Sequence, residues 1–272
     1  MSTRSSGFRA AGTLITSLGM RALAVPMVVG LAGCNSLLGI HGLSDDAPQT
    51  GSNSDAPPGD GRQADGNGRD APGGSTITLV QQAVGFNNSA TSLSVTLTST
   101  PKTGDVLVML GAAADDSLIS VSGGASSWTK VVGAAMDPGQ EVWVAVSNGS
   151  STITITSSDQ ALRMSVTEWS GLATSNIVDQ STSSYGTSAT VATSGVTTSD
   201  PVDLLLFALG TYPPESFSMT DAGWQAVSTI NTGAVVQAAW YLAVDAAGHY
   251  SPSATMSPSN TWATALVALR GM

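Results

Sequence analysis

The sequence predicts an all-β fold: an antiparallel, jelly-roll-like β-sandwich built from two related halves, preceded by a signal peptide and a disordered tether. Three observations predict it. From Ser75 onward, apolar and polar residues alternate with period two in short runs separated by Gly, Asn, Ser and Pro. The same runs, with tryptophans in the same order, occur twice, about a hundred residues apart. No stretch carries a convincing helical stripe, and thirty glycines with abundant Ser and Thr disfavour long helices.

Composition narrows the function classes. Charged residues are 10% of the 272, and nine Lys and Arg face nineteen Asp and Glu for a net charge of −10. A nucleic-acid partner needs a basic footprint, which this chain lacks. The single cysteine excludes an intramolecular disulfide and a zinc–cysteine cluster.

The chain opens with Arg4, Arg9 and Arg21 ahead of an apolar run from Ala22 to Gly33, and no acidic residue precedes Asp45. A basic region, a short apolar run and small residues at its end predict a secretory signal over 1–33. Those twelve apolar residues are too few for a stable bilayer span, and Arg21 blocks extension backwards. Met20 is an alternative start that leaves a more compact signal. The run ends Leu31-Ala32-Gly33-Cys34, which resembles the lipobox of bacterial lipoproteins. That resemblance implies cleavage before Cys34, acylation of its sulfur and amine, and a membrane anchor held by two or three acyl chains. Asn35 is not the aspartate that resembles an inner-membrane retention signal, so the expected localisation is export with lipid anchoring to the cell envelope, at the outer membrane. Removal of residues 1–33 takes away three arginines and no acids, leaving six basic against nineteen acidic residues, net −13.

Residues 34–74 hold the lipidated cysteine and a linker. After a short apolar patch at 35–43, the segment 44–74 is dominated by Asp, Gly, Pro, Ala and Asn, with Asp-Ala-Pro at 46–48, 55–57 and 70–72. It has too little apolar surface to offset its ordering entropy and reads as a tether. Asp65-Gly66-Asn67-Gly68-Arg69-Asp70 faintly resembles a calcium loop. Arg69 stands at a ligand position and no glutamate closes the loop, so no metal is expected there.

Residues 75–272 form the predicted sandwich, with repeat halves 76–171 and 174–271. Ser92 to Thr98, Ser151 to Thr156, and Leu162, Met164 and Val166 with their polar neighbours alternate as strands. Fuller apolar runs, Val106 to Leu110 and Val202 to Leu209, read as central strands. Asp105-Val-Leu-Val-Met matches Asp203-Leu-Leu-Leu-Phe, and Gln140-Glu-Val-Trp143 matches Gln237-Ala-Ala-Trp240. Trp128 matches Trp224, Gly171 matches Gly271, and Val80-Gln-Gln82 matches Val178-Asp-Gln180. The halves fit either two immunoglobulin-sized sandwiches or one larger one. Only Leu172-Ala173 separates them, which favours the larger. The order Gly-Asp-Val-Leu-Val, Ser-Ser-Trp-Thr, Val-Trp-Val-Ala, Glu-Trp-Ser-Gly-Leu resembles a jelly-roll module of bacterial secreted and surface proteins, written GDLLV…WT…EYSGL. The resemblance implies no particular activity.

The chemistry-bearing residues are sparse. His41 lies beside Cys34, and His249 lies in a segment that reads as a solvated hairpin loop. No Gly-x-Ser-x-Gly elbow, phosphate loop or dinucleotide fingerprint occurs, and no two histidines lie at ligand spacing. No cofactor, metal or catalytic residue is therefore assigned. Glu141, Glu168 and Glu215 are the only glutamates; a glycosidase needs two carboxyls, but charges at strand ends are expected to face water. Trp128, Trp224, Trp143 and Trp240 read as core. Trp169 and Trp262 lack counterparts and are better candidates for exposure, although burial is favoured for them too. The loops after the two central strands carry Asp115 and Asp116 in one half and Tyr212 and Glu215 in the other, a speculative ligand surface for a sugar or calcium. The expectation is a noncatalytic surface binding or adhesion module with a carbohydrate or envelope partner. The alternatives are a secreted hydrolase acting on polysaccharide and a purely structural envelope component.

Overall fold

Alternating sequence becomes paired strand wherever both a hydrogen-bonding neighbour and an apolar face to cover are at hand. The computed structural model describes residues 76–272, apart from 115–117, 135, 159 and 214–215. Cys34, Asp115, Asp116 and Glu215 therefore lie outside the described residues.

The first half contributes β1 (Thr78–Asn87), β2 (Ser92–Thr96), β3 (Val106–Ala113), β4 (Leu118–Gly123), β5 (Thr129–Ala134), β6 (Gly139–Val146), β7 (Thr152–Ser157) and β8 (Leu162–Ser170). The second contributes β9 (Val178–Ala192), β10 (Val196–Thr197), β11 (Asp203–Thr211), β12 (Ser216–Met219), β13 (Gln225–Ile230), β14 (Val236–Val244), β15 (His249–Tyr250) and β16 (Ser253–Arg270). Every named pairing is antiparallel. His249 thus sits, exposed, in a short strand rather than a hairpin loop.

In the first half a five-stranded sheet, ordered β1-β8-β3-β6-β5, faces a three-stranded sheet, β2-β7-β4. The chain crosses repeatedly between the two layers, as in a jelly roll. The second half repeats this layering with two strands, β9 and β16, drawn out to 15 and 18 residues. β9 and β16 each serve both layers: Ser253–Thr255 pair with Ala192–Thr190, and after a register break Asn260–Leu269 pair with Ser188–Val178. The early part of β16 lies between the end of β9 and β12, as β7 lies between β2 and β4. Its later part lies between β9 and β11, as β8 lies between β1 and β3. The internal repeat read from the sequence is therefore a repeat of topology and register. Met109 opposes Trp143 on β3 and β6, and Phe207 opposes Trp240 on β11 and β14.

Three cores result. Leu107, Met109, Ile153, Ile155, Leu162 and Met164 fill the first half. Leu205, Phe207, Trp240, Met256, Trp262 and Leu266 fill the second. The opposite faces of the two large sheets join in a third, where Val106, Val108, Leu110 and Trp169 meet Leu204, Leu206, Val267 and Leu269. β3 and β11 are buried along their whole length because each is covered on both faces. Each half closes a sandwich of its own, and both belong to one compact unit.

The third core explains a feature that alternation alone misreads. On β8 the polar residues between Leu162, Met164 and Val166 are Arg163, Ser165 and Thr167, and all are at most 1% exposed. They point into the seam between the halves. Among the described residues Arg163 has no carboxylate partner; its guanidinium donates to the carbonyls of Val235 (2.7 Å), Leu162 (2.8 Å), Asn87 (3.4 Å) and Thr232, and to Asn88 Oδ1 (2.8 Å). Two of those carbonyls belong to the second half, so Arg163 clamps one half to the other. Gly171 ends β8 with φ of +82°, and a Cβ there would sit 2.6 Å from the Thr76 carbonyl oxygen, so only glycine fits at this junction.

Candidate functional site: a polar groove at the seam

A concave feature begins at the edge of the first half's large sheet, where β5 is the last strand. There β5 and β6 meet the segment that enters β9. A cleft of about 790 Å³ is lined by Thr129, Val144, Thr174, Ser175, Asn176 and Ile177, with Arg270 at one side. A second, of about 470 Å³, shares Thr129, Val144 and Ile177 and continues past Ser126, Ser127, Ser147 and Asn148. Together they make one shallow groove with an apolar floor and walls of hydroxyls and amides. Such walls offer both donors and acceptors without fixed charge.

Among the described residues of the lining, Arg270 is the one charged side chain. Its Nε donates to Asp200 Oδ2 at 2.6 Å and its Nη2 to Asp179 Oδ1 at 2.8 Å. Nη1 donates to the carbonyls of Asn176 (2.8 Å) and Val178. The hydrogen bond to Asp200 holds the guanidinium still more firmly protonated. Burial works against the charge of Asp179, but hydrogen bonds from the hydroxyl and amide of Ser199, with Arg270, outweigh it and keep this carboxyl below its ordinary range.

Behind this pair lies Asp203, the first residue of β11. It is 0% exposed and directly opposite Arg270 across the β11–β16 ladder, while the Arg270 donors go to Asp200, Asp179 and two carbonyls. Among the described residues neither carboxylate oxygen of Asp203 has a hydrogen-bond partner. Burial, and then the charges of Asp179 and Asp200, push its pKa up to about 7. The equivalent residue in the first half, Asp105, is also shifted upward, by burial first and by Glu168 next, with Lys102 opposing. In both halves a carboxylate therefore heads the central strand at the rim of the core.

The glutamates correct an expectation. Glu141 and Glu168 do not face water; they are 2% and 1% exposed. Glu141 accepts from Lys130 Nζ (2.6 Å), Trp143 Nε1 (2.8 Å) and the Leu118 amide (3.2 Å). Glu168 accepts from Gln81 Nε2 (2.5 Å) and the Lys102 amide (2.7 Å). They oppose Gly111 and Leu107 on β3, so they stand four residues apart along that strand, about 13 Å at the usual rise. Two buried, bonded carboxylates at that distance do not make the glycosidase pair considered from the sequence.

Of the ligand residues expected from the sequence, Tyr212 is described. Its hydroxyl donates to Asp137 Oδ1, in the connection between β5 and β6 of the other half, while its carbonyl accepts from Asn260 Nδ2 at 3.3 Å. Tyr212 thus ties the halves together, away from the groove. The tryptophans without counterparts are core. Trp169 is 1% exposed and packs edge-on against Tyr241 with centroids 4.9 Å apart; Trp262 is 7% exposed. By contrast Trp128, Trp143 and Trp224 are only half-buried. Trp224 lines a smaller hollow of about 240 Å³ with Asp221, Leu242, His249 and Tyr250.

Reading the sequence alone missed the groove entirely, because its walls come from separate segments, with Thr129, Val144, Ile177 and Arg270 spread along the chain, and are mostly ordinary Ser, Thr and Asn. Asp203 did leave a signal: an acid placed immediately before an unbroken apolar run, at the same place in both halves. The fold defines the class as an all-β double sandwich. No family model matches the chain. No curated protein and no solved structure matches it either.

Proposed function

We propose that this chain is a lipoprotein exported to the cell envelope, anchored through acyl chains on Cys34 at the outer membrane, displaying the double sandwich as a noncatalytic binding or adhesion module. The carrying observation is the groove: a run of hydroxyl and amide side chains over Val144 and Ile177, closed at one end by Arg270. A glycan is the ligand class that such a surface suits, because its hydroxyls exchange hydrogen bonds with both donors and acceptors while its ring faces rest on apolar floor. Among the described residues no helix is long and apolar enough to cross a membrane, and the proposed anchor requires none.

Two experiments test this. Cys34→Ser removes the acylated sulfur, and the protein is expected to leave the membrane fraction and lose lipid labelling; unchanged partitioning overturns the anchor. A glycan array probed with the protein tests the module. Thr129 lines both clefts from an exposed position, so Thr129→Trp fills the groove and is expected to abolish the glycan signal without unfolding the domain. Absence of any glycan signal in the parent, or its survival in Thr129→Trp, overturns the groove reading and leaves a structural envelope role in its place.

A further inference from the structure

Asp203 is a buried acid with nothing to bind, in a fold that otherwise pairs its buried polar groups with care. Among the described residues its two oxygens are the buried side-chain atoms left without a hydrogen-bond partner. A carboxylate in that position is strongly disfavoured unless a positive charge reaches it. The nearest cation, Arg270, spends its donors on Asp200, Asp179 and two carbonyls.

The surroundings of Asp203 supply more acid. One oxygen from each of Asp179, Asp200 and Asp203 lies within 4.8 Å of the others. Two oxygens bound to one Ca²⁺ at about 2.3–2.6 Å can be no more than about 4.6–5.2 Å apart, so this spacing fits a shared ion. Three carboxylates with one guanidinium carry two uncompensated negative charges when all are ionised. That balance matches a divalent cation. The donors are hard oxygens, which select Ca²⁺ or Mg²⁺ over the softer metals. Asp203 has both oxygens free and Asp200 is 41% exposed, so a bidentate ligand lies inside and an open side toward water lies outside. The larger, loosely coordinated Ca²⁺ suits that arrangement better than Mg²⁺ with its strict octahedron.

We propose that Asp179, Asp200 and Asp203 form a Ca²⁺ site beside the groove. The ion ties the start of β9, the connection before β11 and the first residue of β11 into one unit. It also fixes Arg270 from behind, because Asp179 and Asp200 hold both the ion and the guanidinium. The first half lacks the site: Gln81 and Lys102 stand where Asp179 and Asp200 stand in the second, so the repeat carries its own control.

The test is calorimetric titration of Ca²⁺ into the full chain, with the melting midpoint followed in parallel. One saturable site with affinity on the order of 0.1–1 mM, as in extracellular calcium modules, and a midpoint raised by Ca²⁺ are expected. Asp203→Asn should lose the site and the midpoint response together. Asp105→Asn, at the equivalent place in the first half, should keep both. Should Asp203→Asn fail to fold, Asp200→Asn, altering a partly exposed ligand, is expected to weaken binding at least tenfold. No saturable heat and no midpoint response at ~10 mM Ca²⁺ overturns the proposal. So does binding that survives in Asp203→Asn or Asp200→Asn, which would place the ion in the acidic tether at Asp65–Asp70 or elsewhere. The measurement involves no glycan, so its failure leaves the groove reading standing, and failure of the glycan array leaves the Ca²⁺ site standing.

Discussion

Gln140 and Gln237 occupy the same position in the two repeats, and they touch each other: Gln237 Nε2 donates to Gln140 Oε1 at 3.4 Å, with both side chains 0% exposed. Equivalent residues meet in this way when the two halves are related by a near-two-fold axis passing between them. The amide pair is a polar point in a largely apolar seam. It is extended by Ser165, which donates to Gln237 Oε1 at 3.1 Å and shares a 2.6 Å contact with Ser228.

Gln237→Leu strips Gln140 and Ser165 of a partner inside the seam and should destabilise the domain by about 1–3 kcal/mol. Gln140→Leu should do likewise. The double variant is expected to recover part of the sum, since replacing both partners leaves fewer stranded groups. Urea midpoints for the four-member cycle measure this, and simple additivity would count against a direct contact.

Arg163→Met removes the guanidinium that bonds five acceptors, two of them across the seam. The carbonyls of Val235 and Thr232 then lose a buried donor, and a loss of about 3 kcal/mol or more is expected. Limited proteolysis in mild denaturant should show the connection near Thr232 becoming the first cleavage site.

The tryptophans should separate by burial. Trp169→Ala, Trp240→Ala and Trp262→Ala are each expected to cost about 3–5 kcal/mol, because all three side chains are at most 7% exposed. Trp128→Ala should cost less, since that ring is half-buried and its Nε1 donates to the Gly123 carbonyl at the surface. Thermal melts that rank Trp128 with the other three would contradict the packing described.

Asp105 makes stability depend on pH. Its folded pKa lies above the ordinary 3.8 because burial, then Glu168, disfavours the charged form. The folded state therefore holds this proton more tightly than the unfolded chain. Its contribution is full below pH 3.8 and is lost as the pH rises through the raised folded value. Asp105→Asn is neutral throughout and should gain on the parent over that window, then hold a constant lead. A difference that does not change with pH would sink this assignment.

Much of the fold was legible in the chain. Alternation located β2, β7 and β8, the unbroken apolar runs located β3 and β11, and the paired tryptophans marked the repeat. Less legible were strands that change partners midway. β9 starts at Val178 and runs through polar residues that no apolar alternation marks, because pairing with β16 rather than burial holds it extended.

The sequence by itself determined the strand periodicity, the doubling of the domain, the acidic balance and the pattern around Cys34, since each is local or a comparison along one line. Only the tertiary structure decided that the large sheets meet face to face. That meeting buries Arg163, Ser165 and Thr167, gathers Ser, Thr and Asn from distant segments into a groove, and leaves Asp203 beside two more acids. Whether a polar side chain faces water or another sheet depends on what covers it, and period two reports only that it has a face.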